Sequence, residues 1–213
     1  MNSEQVVNDF LSGYGLRLEV FDKNQLGIGK TPDFKVYSDE KLIFYCEVKN
    51  AQKDMWLDKE LEKAAPGDIV GGLRNDPVFS RLSTHIHKAC KQFESVNKDE
   101  NLPNVLAFHN EDENSGFLDL LAVTTGNFFA EGGAVFPVYK QFSEGRIKAD
   151  IEKIHLFIWI NAYKPHRFST FLFNTINTRY QDKLCPIFGF DPEKLAMVHS
   201  SSFSPRCENQ SVG

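Results

Sequence analysis

The sequence predicts an α/β domain, and three observations carry that reading. Apolar residues alternate with a period of two through Phe34–Val48. They recur at helical spacing through Phe79, Leu82, Ile86, Ala89, Cys90, Phe93 and Val96. Short apolar runs, Val105–Phe108 and Ile154–Ile160, have the length and composition of buried strands. A chain of 213 residues suits one well-buried domain and is short for two. Residues 1–199 are therefore read as a single domain, with a core region over 1–109 and a C-terminal extension of the sheet over 110–199. The serine-rich stretch 200–213 reads as a flexible tail.

Taken in order, Val6, Val7, Phe10 and Leu11 fall on one face of a helix that Asn2 or Ser3 caps and Gly13 and Gly15 end. Leu16–Phe21 alternates as a short strand. Gly27 and Gly29 mark a turn, and Pro32 keeps Thr31 extended. The segment Asp33–Lys49 reads as a hairpin around the polar turn Ser38–Lys41. Phe34, Val36, Leu42, Phe44, Cys46 and Val48 form its core face, and Asp33, Lys35, Tyr37, Ile43, Tyr45, Glu47 and Lys49 its other face. A helical piece is expected over Trp56–Ala64, followed by a glycine-punctuated loop to Pro77, and then the long helix from Phe79. Phe117–Val123 reads as a further strand, and Ile147–Lys153 as a short helix feeding the strand Ile154–Ile160.

Composition excludes several classes. The longest candidate span, Ile154–Ile160, is far below the ~20 apolar residues needed to cross a bilayer. The start MNSEQVVNDF has neither the basic region nor the apolar core of a secretory signal, which points to the cytoplasm. Cys46, Cys90, Cys185 and Cys207 make no C-x-x-C pair and suit reduced thiols. The net charge of −5 argues against a protein that coats nucleic acid, but the charge is uneven. Lys140–Lys183 carries +4 and the remainder −9, so a locally basic face can exist.

The chemistry-bearing residues lie on the hairpin. Glu47 and Lys49, two apart on a strand, share a face. With the turn centred on Glu40, positions summing to 80 oppose one another, which sets Asp33 across from Glu47. Two carboxylates about 4–5 Å apart repel by roughly 4 kcal/mol at an effective dielectric near 20. Mg²⁺ or Mn²⁺, which favour hard oxygen ligands and keep positions for water and phosphate, would turn that liability into a binding site. An amine on the same face can hold an attacking water or neutralise charge developing on a phosphorane.

Thr31-Pro32-Asp33 followed by Glu47-Val48-Lys49 resembles the PD-(D/E)xK nuclease superfamily, which includes restriction endonucleases, resolvases and repair nucleases. The resemblance covers roughly residues 1–109. It implies a restriction-endonuclease-like αβββαβ core with a central mixed sheet flanked by helices, and hydrolysis of phosphodiester bonds, DNA first. It further implies Asp33 and Glu47 as metal ligands together with the Val48 carbonyl, and Lys49 as the residue assisting the nucleophile. An acid on the first helix would be Glu4, with Asp9 second. Lys88 and Gln92, spaced i, i+4 on the long helix, match the polar residues that some members direct at the site. The implied cofactor is Mg²⁺ or Mn²⁺ and the implied partner nucleic acid, with the chain acting alone, as a homodimer, or as a subunit of a defence or repair complex. A second reading keeps the fold as a catalytically idle binding or assembly module, and a third directs the enzyme at RNA or at branched or damaged DNA.

Other signals weigh less. Gly27–Thr31 resembles the end of a phosphate-binding loop, but Asn24 stands where glycine is required and Pro32 where a helix should start. His85 and His87, two apart on a helix, point apart and make poor joint metal ligands. His109 before Asn110-Glu111-Asp112-Glu113 could mark a second cation site, with a solvated acidic loop the preferred reading. Tyr163–Lys183 interleaves Lys164, His166, Arg167, Arg179 and Lys183 with aromatic residues, a pattern that suits stacking plus phosphate contact. Lys164 and Arg167 are its candidate substrate contacts, set against ordinary packing of Phe168, Phe171 and Leu172.

Overall fold

The computed structural model describes residues 2–22, 30–51, 56–70, 78–112, 115–130, 134–137, 147–162 and 168–194. The chain opens with helix α1 (Ser3–Ser12), whose N-cap Asn2 accepts a hydrogen bond from the Glu4 backbone N–H. Strands β1 (Arg17–Val20), β2 (Phe34–Ser38) and β3 (Lys41–Ala51) form an antiparallel meander. Helices α2 (Trp56–Lys63) and α3 (Val78–Val96) lead to β4 (Asn104–Asn110), which lies parallel to β3. Helix α4 (Phe117–Thr125), the small hairpin β5 (Asn127–Phe129) and β6 (Val135–Pro137), and helix α5 (Lys148–Ile151) precede β7 (Leu156–Asn161). Strand β8 (Phe168–Phe173) and helix α6 (Gln181–Ile187) follow.

The main sheet has six strands in the order β1-β2-β3-β4-β7-β8 and is mixed, since β3-β4 and β4-β7 pair in parallel and the rest antiparallel. Every residue of β4 and β7 is buried, as expected of central parallel strands covered on both faces. One face packs Val48, Val105, Ala107 and Ile158 against Val7 and Leu11 of α1 and Leu184 and Cys185 of α6. The other packs Leu106, Phe108, Phe157 and Trp159 against Leu82, Ile86, Ala89 and Phe93 of α3, with α4 and α5 beside them. The result is an α/β fold in three layers.

The hairpin reaches the expected register by an unexpected route. Its turn is the two-residue Asp39–Glu40, with Asp39 at φ 51°, and on its own this pairs Ser38 with Lys41 and Tyr37 with Leu42. A bulge then makes Val36 face Phe44, and from there the pairs sum to 80 through Phe34–Cys46. The extra residue is Ile43, which packs with the α1-side core, while Leu42 shares the position of Tyr37. The expected facing of Leu42 and Ile43 is therefore reversed.

Phe117–Val123 is a helix, not a strand. Its residues are apolar on nearly every side, so period does not distinguish the two forms. The ends decide it: the Asp119 carboxylate accepts the Gly116 N–H at 2.7 Å, and Gly126 closes the helix at φ 74°, a left-handed conformation open to glycine. The tail 200–213 lies outside the described residues. Among those described, no helix is long and apolar enough to cross a membrane, and Cys46, Cys90 and Cys185 are buried free thiols.

Candidate functional site

Because β2 begins at Phe34, Asp33 sits just before the strand and its side chain takes over the pairing that the backbone has not yet begun. Its Oδ2 accepts the Val48 N–H at 2.7 Å, and its own N–H donates to Glu47 Oε2 at 3.1 Å. Within a strand, a residue's N–H and C=O point to the same edge, so the Val48 carbonyl is directed to the same side as Asp33. The Lys49 ammonium donates to Glu47 Oε1 and, at 3.0 Å, to Gln92 Oε1 of α3. The Gln92 amide in turn donates to the Thr31 carbonyl at 2.9 Å, and Ser95 Oγ to the Lys30 carbonyl at 3.2 Å. Helix α3 thus clamps the segment that delivers Asp33.

Glu47 is only 1% exposed. Burial, followed by the Asp33 charge, raises its carboxyl to about 7, even though Lys49 pulls the other way. Burial also raises Asp33, with the Val48 N–H, Lys49 and Glu47 opposing. The neighbouring Cys46 thiol is pushed well up by burial and then by the two acids, which makes it inert. Near neutral pH the two carboxyls hold less than two full negative charges between them. A cation would relieve that constraint.

These groups open onto a cleft of about 690 Å³. Asp33, Glu47, Val48 and Lys49 form part of its lining, Lys88 and Gln92 stand on its α3 wall, and Glu4 lies on the wall opposite, at the start of α1. The structure therefore brings Glu4, Asp33, Glu47, Val48, Lys49, Lys88 and Gln92 to one cleft, whereas Asp9, the second candidate acid of the first helix, is not among its lining and accepts from the Gln5 amide. Lys164 and Arg167 lie outside the described residues. The sequence reading missed Lys91, Ser95, Lys30 and Asn50, which also line the cleft. Lys91 and Ser95 were findable, since 88, 91, 92 and 95 share one helical face. Lys30 and Asn50 carried no local signal.

The oxygens that could hold a metal here are the Asp33 and Glu47 carboxylates and the Val48 carbonyl, a hard set of the kind that suits Mg²⁺ or Mn²⁺. Among the described residues no group of three or more His, Cys, Asp or Glu gathers to hold an ion. Both candidate histidine sites have structural occupations. His87 Nδ1 lies 2.9 Å from Asp150, and His85 packs against Phe108 with its pKa lowered to about 4 by burial and then by Lys49, Lys88 and Arg81. His109 is buried, with Nδ1 3.0 Å from Ser3 Oγ.

Asp112, expected in a solvated acidic loop, is instead fully buried. It accepts from Ser115 Oγ at 3.2 Å and pairs with Arg81 at 3.4 Å. The aromatic residues of 163–183 that are described serve packing. Phe171 packs at a tilt on Phe10 and Phe188 and edge-on against Phe190, and Tyr180 is buried and donates to the Glu100 carbonyl.

Comparison with family models, with curated proteins and with solved structures finds no match to this chain.

Proposed function

We propose that this chain is a metal-dependent nuclease of the PD-(D/E)xK type that hydrolyses phosphodiester bonds, with DNA the first substrate to test. The observation that carries the reading is the convergence of Asp33, Glu47 and Lys49 in an open cleft, with the acids coupled to one another and the amine on Glu47. The element order α1-β1-β2-β3-α2-α3-β4 supports it, since apart from the added helix α2 it is the αβββαβ order of that superfamily's core.

Asp33 and Glu47, with the Val48 carbonyl, would hold Mg²⁺ or Mn²⁺, which supplies a bound water of lowered pKa and polarises the phosphoryl oxygen. With the acids so engaged, Lys49 would be free to turn from Glu47 toward the attacking water or the negative charge that develops on the phosphoryl oxygens. Gln92 holds the amine within reach of both, since it bonds Lys49 and the Thr31 carbonyl at the same time. Lys88, exposed on the rim, meets substrate phosphate.

The test is incubation of the protein with single-stranded, duplex and branched DNA and with RNA, plus Mg²⁺ or Mn²⁺. Asp33→Asn, which keeps an acceptor for the Val48 N–H, and Lys49→Ala should each lower cleavage by at least about 100-fold without unfolding the domain. Undiminished Mg²⁺-dependent cleavage by either variant refutes the assignment.

A second reading, an idle module that binds or assembles, draws on the direct Lys49–Glu47 ion pair, which leaves Glu47 compensated without a cation. Calorimetric titration separates the two, because an idle site takes up no Mn²⁺ at millimolar concentration.

A further inference from the structure

Resting on the nuclease reading, we propose that the cleft grips the phosphate backbone of the cleaved strand along α3 and reads no base. Lys88 and Lys91 stand one turn apart on the exposed α3 wall, and Gln92 and Ser95 continue that face. From 88 to 95 this wall runs about 10 Å. A face of that length can meet more than one phosphate of a strand. Lys30 extends the row, because Ser95 Oγ holds its backbone against the end of α3. A chain of net charge −5 thus presents three exposed lysines beside the acid pair.

What the cleft lacks among its described lining residues is equally specific. None is aromatic, and Val48 is the single aliphatic one, so no stacking platform and no apolar wedge faces a base, and the amides that could read a base edge are engaged within the protein: Gln92 by Lys49 and the Thr31 carbonyl, Asn2 by the Glu4 N–H, and Asn50 by Glu111. Sequence-independent electrostatic contact is what such a lining supplies.

The experiment is fluorescence anisotropy with short labelled oligothymidylate, oligoadenylate and a fully abasic strand of equal length, in EDTA, so that it does not depend on cleavage. The three strands should bind within about three-fold of one another. Lys88→Gln/Lys91→Gln should weaken all three by roughly ten-fold near 0.1 M salt and reduce the slope of log affinity against log salt by about 1.4. A ten-fold or greater loss for the abasic strand, an unchanged salt slope in the double variant, or no binding of any strand overturns the proposal. If binding behaves as expected while no nucleic acid is cut with Mg²⁺ or Mn²⁺, the nuclease reading fails and the backbone grip stands.

Discussion

Replacing Glu47 by glutamine should stabilise the metal-free protein at alkaline pH and leave it unchanged in acid. The carboxyl is 1% exposed and its pKa is raised from 4.5 to about 7 by burial and the adjacent Asp33. A shift of that size corresponds to about 3 kcal/mol of preference for the protonated form in the folded state. Since the folded pKa is the higher one, that stability is fully present below pH 4.5. It is lost progressively as pH rises through about 7. Glutamine mimics the protonated carboxyl at every pH. Glu47→Gln should therefore match the parent near pH 4.5 and exceed it above about pH 8 by up to about 3 kcal/mol, or roughly 6–12 °C in Tm for a domain of this length. The measurement is a series of thermal melts in EDTA, parent against variant, across that range. Taking the difference removes His85 and His155, which are depressed to about 4 and titrate equally in both proteins. A variant no more stable than its parent at alkaline pH would show that Glu47 is neither strained by Asp33 nor desolvated, and the cation argument would fall with it.

Two further outcomes follow from the same geometry. If Glu47 is a metal ligand as proposed, Mn²⁺ binding would require its ionised form, so affinity measured by calorimetry should fall about ten-fold per unit as pH drops below about 7 and level off above it, and a flat profile would exclude Glu47 as a ligand. Asp112→Ala removes a fully buried acceptor from Ser115 and Arg81 and should cost about 3 kcal/mol by urea denaturation, whereas a loss below about 1 kcal/mol would mean the network is not structural.

The features legible in the sequence were those fixed by short-range periodicity. The α3 stripe, the α1 amphipathic face and the period-two run of the hairpin each record which side of a local element is buried, and residue spacing alone reports that. Glu47 and Lys49 were legible for the same reason. Helix α4 was not, because a segment buried on nearly all sides has no polar face to reveal its period. Asp112 was misread because an acid in a charged run gains burial only from a distant partner, here Arg81 on α3.

By itself the sequence determined that one strand would carry an acid and an amine side by side, and that an aspartate after proline would stand at the start of the strand opposite. Tertiary structure decided that these groups meet at one cleft. The Ile43 bulge converts a two-residue turn into the register that faces Asp33 with Glu47. Helix α3, packed across the sheet, brings Gln92 onto Lys49 and Lys88 and Lys91 to the rim. A one-residue slip in pairing would have turned the same side chains to the opposite face, and pairing is settled by the packed core on both sides of the sheet rather than by any local string of residues.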